Sequence, residues 1–370
     1  MNKILVGMVS NMGKNGVDTY IHGFRRFAGN YARVDCLCSA YDETQAAVLR
    51  ESGSRLFAVC GLKNPIKQYL QTKALIRKEG YDMVYLNIST ALAFPVLMAA
   101  HSCGVKRILV HSHSSGFDIA SAWKRKLMTL LHRLCKGFVR RNATEFLSCS
   151  DKAAQWMFPK DIVDGGKVRY IQNVADVGRF AFDPQKREQL RQELGLMGRY
   201  VVGAVGNISY TKNYPFLLEA FAQAAAQDSA LSLVILGGGS QREAAEQKAR
   251  ELALTDRVHF LGQVNAALGY MSAFDLFVLP SHFEGMPIVS VEAQCAGLPC
   301  IFSQNITKQA QITPNCRFLP IDDPALWAEE ILRMKREAPA RGSAEVDLYP
   351  YSVEAQEAQF QSLLEGKCVS

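Results

Sequence analysis

Long apolar runs are missing from this chain of 370 residues. The longest, Ala91 to Ala100, is interrupted by Pro95, and a membrane-spanning helix needs about 20 such residues. No spanning segment is therefore expected. Met1 to Ser10 has too short an apolar stretch for an export signal and reads as a first strand. Cys-x-x-Cys pairs are also missing. The ten cysteines are scattered, and Cys36, Cys38, Cys149 and Cys300 fall in apolar runs. That usage suits reduced core thiols in a cytoplasmic protein better than disulfides or zinc. Internal repeats, low-complexity stretches and an RNA-binding signature are absent, so no nucleic-acid partner is expected.

The charge is unevenly spread. The net +7 divides into +13 over residues 1–180, with 26 Lys and Arg against 13 Asp and Glu, and −6 over residues 181–370, with 16 against 22. Charge alone leaves a basic half open to nucleic acid, anionic lipid or a phosphorylated acceptor. The stretch Trp123 to Arg141 mixes clustered cations with an apolar stripe. It reads either as a helix lying on an anionic membrane surface or as an ordinary helix with its basic face in water.

Short Val/Ile/Leu-rich runs alternate with helical patterns, which predicts parallel βαβ units in two series. The first has strands near 3–9, 32–38, 55–59, 82–87, 106–111, 144–149 and 167–172. The second has strands near 200–205, 231–236, 257–261, 274–280, 298–302 and 316–319. The polar stretch Asn173 to Gly198 suits a connection carrying a short helix, Gln185 to Leu194. The fold class expected is α/β: two Rossmann-like, doubly wound domains, 1–175 and 176–350. Ligands of such sheets bind at the carboxyl ends of the strands, so facing domains would share an interdomain cleft.

Two carboxylates stand at the start of a probable helix in Glu284-Gly285-Met286-Pro287-Ile288-Val289-Ser290-Val291-Glu292, with seven residues between them. Pro287 suits a first helical position, and the amides ahead of it would meet phosphate at the positive dipole end. Eight steps of about 1.5 Å separate the two acids by roughly 12 Å at most. One acid can reach a hexose while the other reaches a ribose. The segment resembles the E-x7-E motif of glycosyltransferase family 4, the retaining enzymes of GT-B fold. The resemblance extends to the preceding Asp275 to Ser281 and the following Ala296 to Ile301. It implies that Glu292 holds the donor ribose, that Glu284 holds the transferred sugar, and that the backbone of Gly285, Met286, Pro287 and Ile288 receives sugar and diphosphate.

Further sites follow from the same resemblance. Gly206-Asn207-Ile208-Ser209-Tyr210-Thr211-Lys212 lies between a strand and a helix, where family members carry an Arg and a Lys that clamp the diphosphate. Lys212 is kept, whereas Asn207 stands in place of the Arg and can donate a hydrogen bond but supplies no charge. The backbone at Gly262-Gln263-Val264 would read the nucleobase, making Gly262 and Val264 donor contacts. Gly237-Gly238-Gly239 is a weaker turn signal at the same sheet edge. His111 and His113 sit at the end of a strand, where the family places a His or Asp near the reacting sugar; His111 aligns better. Residues i and i+2 of a strand share a face, so the pair could instead bind a metal, but no third ligand is evident. Lys14-Asn15-Gly16-Val17 partly matches an amino-terminal Gly-Gly loop, with Gly16 able to admit a donor phosphate or the acceptor. A helix at about 353–370 would return to the first domain.

No Asp-x-Asp triplet is present to hold a divalent ion, so the expected enzyme is metal-independent and uses no cofactor. The expected activity is transfer of a hexose-type sugar, front-face and with retention, from a nucleotide diphosphate, most simply UDP. The acceptor would be a lipid-linked or growing glycan of the capsule or exopolysaccharide type, reached peripherally at the inner membrane face. Stretches 305–313 and 322–328 and the His111 to Gly116 run carry the likeness to bacterial capsule and exopolysaccharide transferases. The alternatives are a sugar-nucleotide epimerase of the same fold and a catalytically weak, donor-binding regulatory subunit. The latter is motivated by Asn207.

Overall fold

The computed structural model describes residues 2–9, 16–174, 179–264, 267–338, 341 and 348–366. Its contacts divide the chain into two compact units, one of residues 1–117, 123–173 and 354–370, the other of 118–122 and 174–353.

In the first unit the strands are β1 (Lys3–Val9), β2 (Arg33–Cys38), β3 (Leu56–Ala58), β4 (Met83–Ile88), β5 (Arg107–Ser112), β6 (Glu145–Ser148) and β7 (Val168–Tyr170). They form one parallel sheet in the order β3-β2-β1-β4-β5-β6-β7. The helices between them are α1 (Gly16–Ala28), α2 (Glu43–Glu51), α3 (Pro65–Glu79), α4 (Phe94–Ser102), α5 (Ala122–Asn142), α6 (Asp151–Met157) and α7 (Lys160–Val163). Strands buried on both faces read as continuous apolar runs, and β4, MVYLNI, is buried at every position. One face packs Val84, Leu86, Val96, Leu97, Ile108 and Val110; the other packs Ile21, Phe24, Tyr85, Leu109 and Leu147.

The second unit begins with α8 (Pro184–Glu193), capped by the Asp183 carboxylate on the amides of Gln185 and Lys186 with Pro184 at the start. It continues through β8 (Tyr200–Val205), α9 (Tyr214–Gln227), β9 (Leu231–Leu236), α10 (Arg242–Glu251), β10 (Val258–Gly262), α11 (Ala267–Ala273), β11 (Leu276–Leu279), α12 (Ile288–Cys295), β12 (Cys300–Ser303), β13 (Cys316–Leu319) and α13 (Pro324–Glu337). This parallel sheet runs β10-β9-β8-β11-β12-β13. Its core gathers Leu217, Phe221, Leu233, Ile235, Val278 and the fully buried Trp327. At the amino end of β11, Asp275 ties the sheet to α8 by accepting from Arg187, Arg191 and the amide of Val201 at 2.5, 2.5 and 2.7 Å. The last helix, α14 (Val353–Glu365), lays Phe360 against Tyr20, Phe24 and Phe27 of α1 in the first unit, with ring centroids 5.4–5.9 Å apart.

All thirteen strands stand where the alternation of apolar runs predicts them, with ends differing by a residue or two. In each sheet the order reverses once, between β1 and β4 and between β8 and β11. Loops leaving neighbouring strands there diverge to opposite faces and leave a crevice at the carboxyl ends.

Candidate functional site

At the β8/β11 reversal the loop after β8 meets the loop after β11. Lys212 Nζ lies 2.7 Å from Glu284 Oε1, and Ser281 Oγ donates to the same oxygen at 2.8 Å. Both charged side chains are largely buried, 13% and 14% exposed, which strengthens their attraction beyond that of a surface pair. The backbone shapes this pairing. Gly206 closes β8 at φ +145, and a Cβ there would lie 2.6 Å from Lys212 Cε, so the lysine stem is laid over a bare Cα. Behind it, a Cβ on Gly237 would fall 2.0 Å from the Gly206 carbonyl oxygen, so only glycine lets the turn after β9 back onto the turn after β8. The amide of Ile208 donates to Gly238 O at 2.7 Å and that of Gly237 to Gly262 O at 2.8 Å, which links the three strand ends in a row. Tyr214, buried at the start of α9, donates to Gly206 O at 3.2 Å.

Glu292 lies on the second turn of α12. Burial pushes its carboxyl up to about 7, partly offset by the positive charge of Lys212. One cation therefore acts on both acids of the motif. Pro287 differs from expectation: it is the residue before the helix, with φ −73 and ψ 110, and Ile288 is the first helical residue. The Pro287 carbonyl then accepts from the Ser290 amide and hydroxyl at 3.0 and 2.7 Å, so the proline ends the loop rather than starting the helix. Gly285, Met286 and Pro287 are buried, and Ile288 is half-buried.

Asn207 is exposed, with Oδ1 beside the Gly239 backbone. Gly262 ends β10 with φ +73, and Val264 is half-buried just beyond. Sequence reasoning missed Ser281, Tyr214 and the stacked Tyr210–His282 pair, whose rings lie 4.3 Å apart. A hydroxyl or aromatic ring in a loop has no spacing signature.

The first unit presents a different chemistry. His111 is fully buried in β5, its Nδ1 2.9 Å from Tyr85 Oη, which is 2.8 Å from Tyr20 Oη. His113, just past the strand, places Nε2 2.9 Å from Asn87 Oδ1, and the two imidazoles lie 4.0 Å apart. Burial holds His111 well below the ordinary histidine range, helped by His113, and pushes His113 down to about 3. Both rings are thus neutral near pH 7. His111 Nε2 and Asn87 Nδ2 have no hydrogen-bond partner among the described residues. The histidines do share a face, but among the described residues no group of three or more His, Cys, Asp or Glu gathers to hold a metal. Gly16 is exposed and opens α1; Lys14 and Asn15 lie outside the described residues.

Two parallel sheets with these reversals are those of a GT-B fold, with the Lys212–Glu284 pair at the reversal of the second. Comparison with known proteins agrees: residues 186–341 match the family described as Glycosyl transferases group 1. A Bacillus subtilis (strain 168) protein named as a glycosyltransferase, EpsF, is 29% identical over 90% of this chain and 87% of its own length. The UDP-Gal:alpha-D-GlcNAc-diphosphoundecaprenol alpha-1,3-galactosyltransferase of Escherichia coli is 28% identical over 64% of this chain and 62% of its own. The Anabaena protein Alr3699/HepE, solved in complex with UDP-glucose, superposes with a TM-score of 0.78 over 98% of this chain and 99% of its own, at 19% identity, and shares the fold. The similarity to the group 1 glycosyltransferases thus falls on residues 186–341, and the relatives that match over most of the chain are named as glycosyltransferases.

Proposed function

We propose that the protein moves a hexose-type sugar from a UDP-sugar to a lipid-linked or growing glycan, with retention and without a metal ion, in the building of a capsule or exopolysaccharide. The observation that carries this is the Lys212–Glu284 pair with Glu292 beside it at the β8/β11 reversal. Lys212 receives the diphosphate, Glu292 the ribose hydroxyls and Glu284 the sugar hydroxyls. The turn backbone of Gly285, Met286, Pro287 and Ile288 supports the sugar and diphosphate, and the backbone at Gly262 and Val264 reads the base. His111, with Nε2 still to be paired, is assigned to the reacting sugar, with His113 as the alternate. Departure of the nucleoside diphosphate leaves negative charge that preorganised groups such as Lys212 stabilise. The donor base and the lipid-linked acceptor are supported by what the Escherichia coli relative acts on, UDP-galactose and a diphosphoundecaprenol-linked sugar.

The acceptor reading draws on α5 as well. No described helix is long and apolar enough to cross a membrane. However, α5 has no acidic residue and exposes Trp123, Leu127, Leu130, Leu131, Leu134 and Phe138, with Trp123 and Leu134 about two-thirds exposed at 65% and 66%. These positions fall within roughly 100° of arc at 3.6 residues per turn, opposite the buried His132 and Val139. Lys124, Lys126, Arg133 and Arg140 flank them. An anionic bilayer surface at the cytoplasmic face fits both the apolar stripe and the cations.

Incubation with UDP-glucose, UDP-galactose or UDP-N-acetylglucosamine and a diphosphoundecaprenol-linked sugar tests transfer. The expected outcome is a lengthened glycan lipid from one donor, unaffected by EDTA. Donor turnover without acceptor would favour an epimerase, and binding without turnover a regulatory subunit. Co-sedimentation with anionic vesicles tests α5: wild type pellets at low salt, and changing Lys124, Arg125, Lys126 and Arg133 to Gln releases it. Equal pelleting, or self-association through the same stripe, rejects the membrane.

A further inference from the structure

Lys212 is the only cation in the loop Gly206 to Asn213, because Asn207 stands where a second would be. Its ammonium is already committed to Glu284, while Gly206 fixes the course of its stem. A diphosphate arriving at this loop cannot use the Lys212 charge fully while Glu284 holds it, because a carboxylate and a phosphate would share one donor group in a poorly hydrated place. We infer that Glu284 and the diphosphate compete for Lys212, which makes Glu284 a specificity determinant that selects the intact sugar nucleotide over the free nucleoside diphosphate. This rests on the donor reading above and gives Glu284 a role besides contacting sugar.

The physical sequence is simple. When an intact donor enters, its phosphates take Lys212, and Glu284, released but still held by Ser281 Oγ, accepts hydrogen bonds from sugar hydroxyls instead. The carboxylate loses one partner and gains others. A free nucleoside diphosphate has no sugar to offer, so separating Glu284 from Lys212 costs a largely buried carboxylate its ion pair and gives it no sugar hydroxyls in exchange. After transfer the same imbalance favours return of Glu284 to Lys212 and release of the product.

The test is isothermal titration of UDP and UDP-glucose into the full chain and four variants, Glu284→Gln, Lys212→Met, the two combined, and Glu284→Asp. Glu284→Gln keeps the shape and the Ser281 contact but gives up Lys212. It is expected to bind UDP about fivefold tighter or more, the scale of one partly buried ion pair released, and to bind UDP-glucose no tighter than wild type. General repulsion between a carboxylate and phosphate would produce the same gain, and Lys212 separates the two causes. In a Lys212→Met background the Glu284→Gln gain in UDP affinity disappears if Lys212 is the contested group. Persistence of the gain there would overturn the inference, as would unchanged or weaker UDP binding by Glu284→Gln alone. Glu284→Asp, which shortens the reach to Lys212, should tighten UDP in the same direction. If UDP binds to none of the five proteins while their unfolding temperatures match, the donor reading itself fails and the inference falls with it.

Discussion

The two sheets carry opposite solutions at their carboxyl ends. In the basic half, the strand-end groups are uncharged: two buried neutral histidines, two tyrosines in a hydrogen-bonded line and an asparagine. In the acidic half, the strand ends hold a buried ion pair and a second carboxyl raised to about 7. Net charge and site charge thus run in opposite directions. The +13 excess of residues 1–180 is partly accounted for by the cations of α5, whereas Lys212, which we assign to phosphate, stands in the half whose net charge is −6. A phosphate site needs one cation at a defined place, and long-range potential does not supply that.

The largest expected effects come from removing the charged groups. Glu292→Ala should weaken free UDP by roughly tenfold or more, on the scale of a lost charge-assisted hydrogen bond of about 1.5–3 kcal/mol, while Glu284→Ala should mainly harm binding or turnover of the intact sugar nucleotide. Titration with UDP and UDP-glucose checks the split; equal losses for both variants with UDP alone would erase the division of labour. A change in the uncharged site should do the reverse. Tyr85→Phe leaves the buried His111 Nδ1 and Tyr20 hydroxyl short of a partner, which costs about 1–3 kcal/mol of stability. Denaturant unfolding measures that loss, and UDP affinity should stay at the wild-type value.

The acidity of Glu292 gives a pH-dependent contrast. Its folded value, about 7, lies above the ordinary 4.5, so the folded state binds the extra proton and stability falls as pH rises from about 4.5 through 7. Glu292→Gln should therefore match wild type near pH 4.5 and unfold at a higher temperature at pH 8. A difference that does not change with pH would mean that folding leaves the affinity of the Glu292 carboxyl for its proton unchanged. Donor binding, if the ribose hydroxyls donate to the ionised carboxylate, should strengthen over the same interval. The smallest effect expected is from Asn207→Arg. This exposed position would regain a second cation, and UDP should bind up to about tenfold tighter. Unchanged binding would show that the loop has been rebuilt around Asn207.

Much of the fold was legible because parallel strands buried on both faces are unbroken apolar runs, such as Leu231 to Leu236, and these cannot be hidden by tertiary context. The motif residues Glu284, Glu292 and Lys212 were legible as a pattern, but their meeting was not. The two loops are joined only through the β8/β11 adjacency, with β9 and β10 intervening in sequence. The cap at Pro287 was misplaced by one residue because a proline suits both the end of an extended loop and the first helical turn. The partners of His111 and His113 were invisible for a similar reason. Tyr20, Tyr85 and Asn87 come from α1 and β4, and nothing in their local sequence marks them as ligands of an imidazole.

The central claim is that Lys212, between the two acids, receives the donor diphosphate. Isothermal titration of UDP into wild type and Lys212→Met at matched ionic strength tests it most directly. One UDP per chain in the wild type, with affinity lowered at least about tenfold by Lys212→Met, is the predicted result. Equal affinity in the two proteins, both folded, would contradict it.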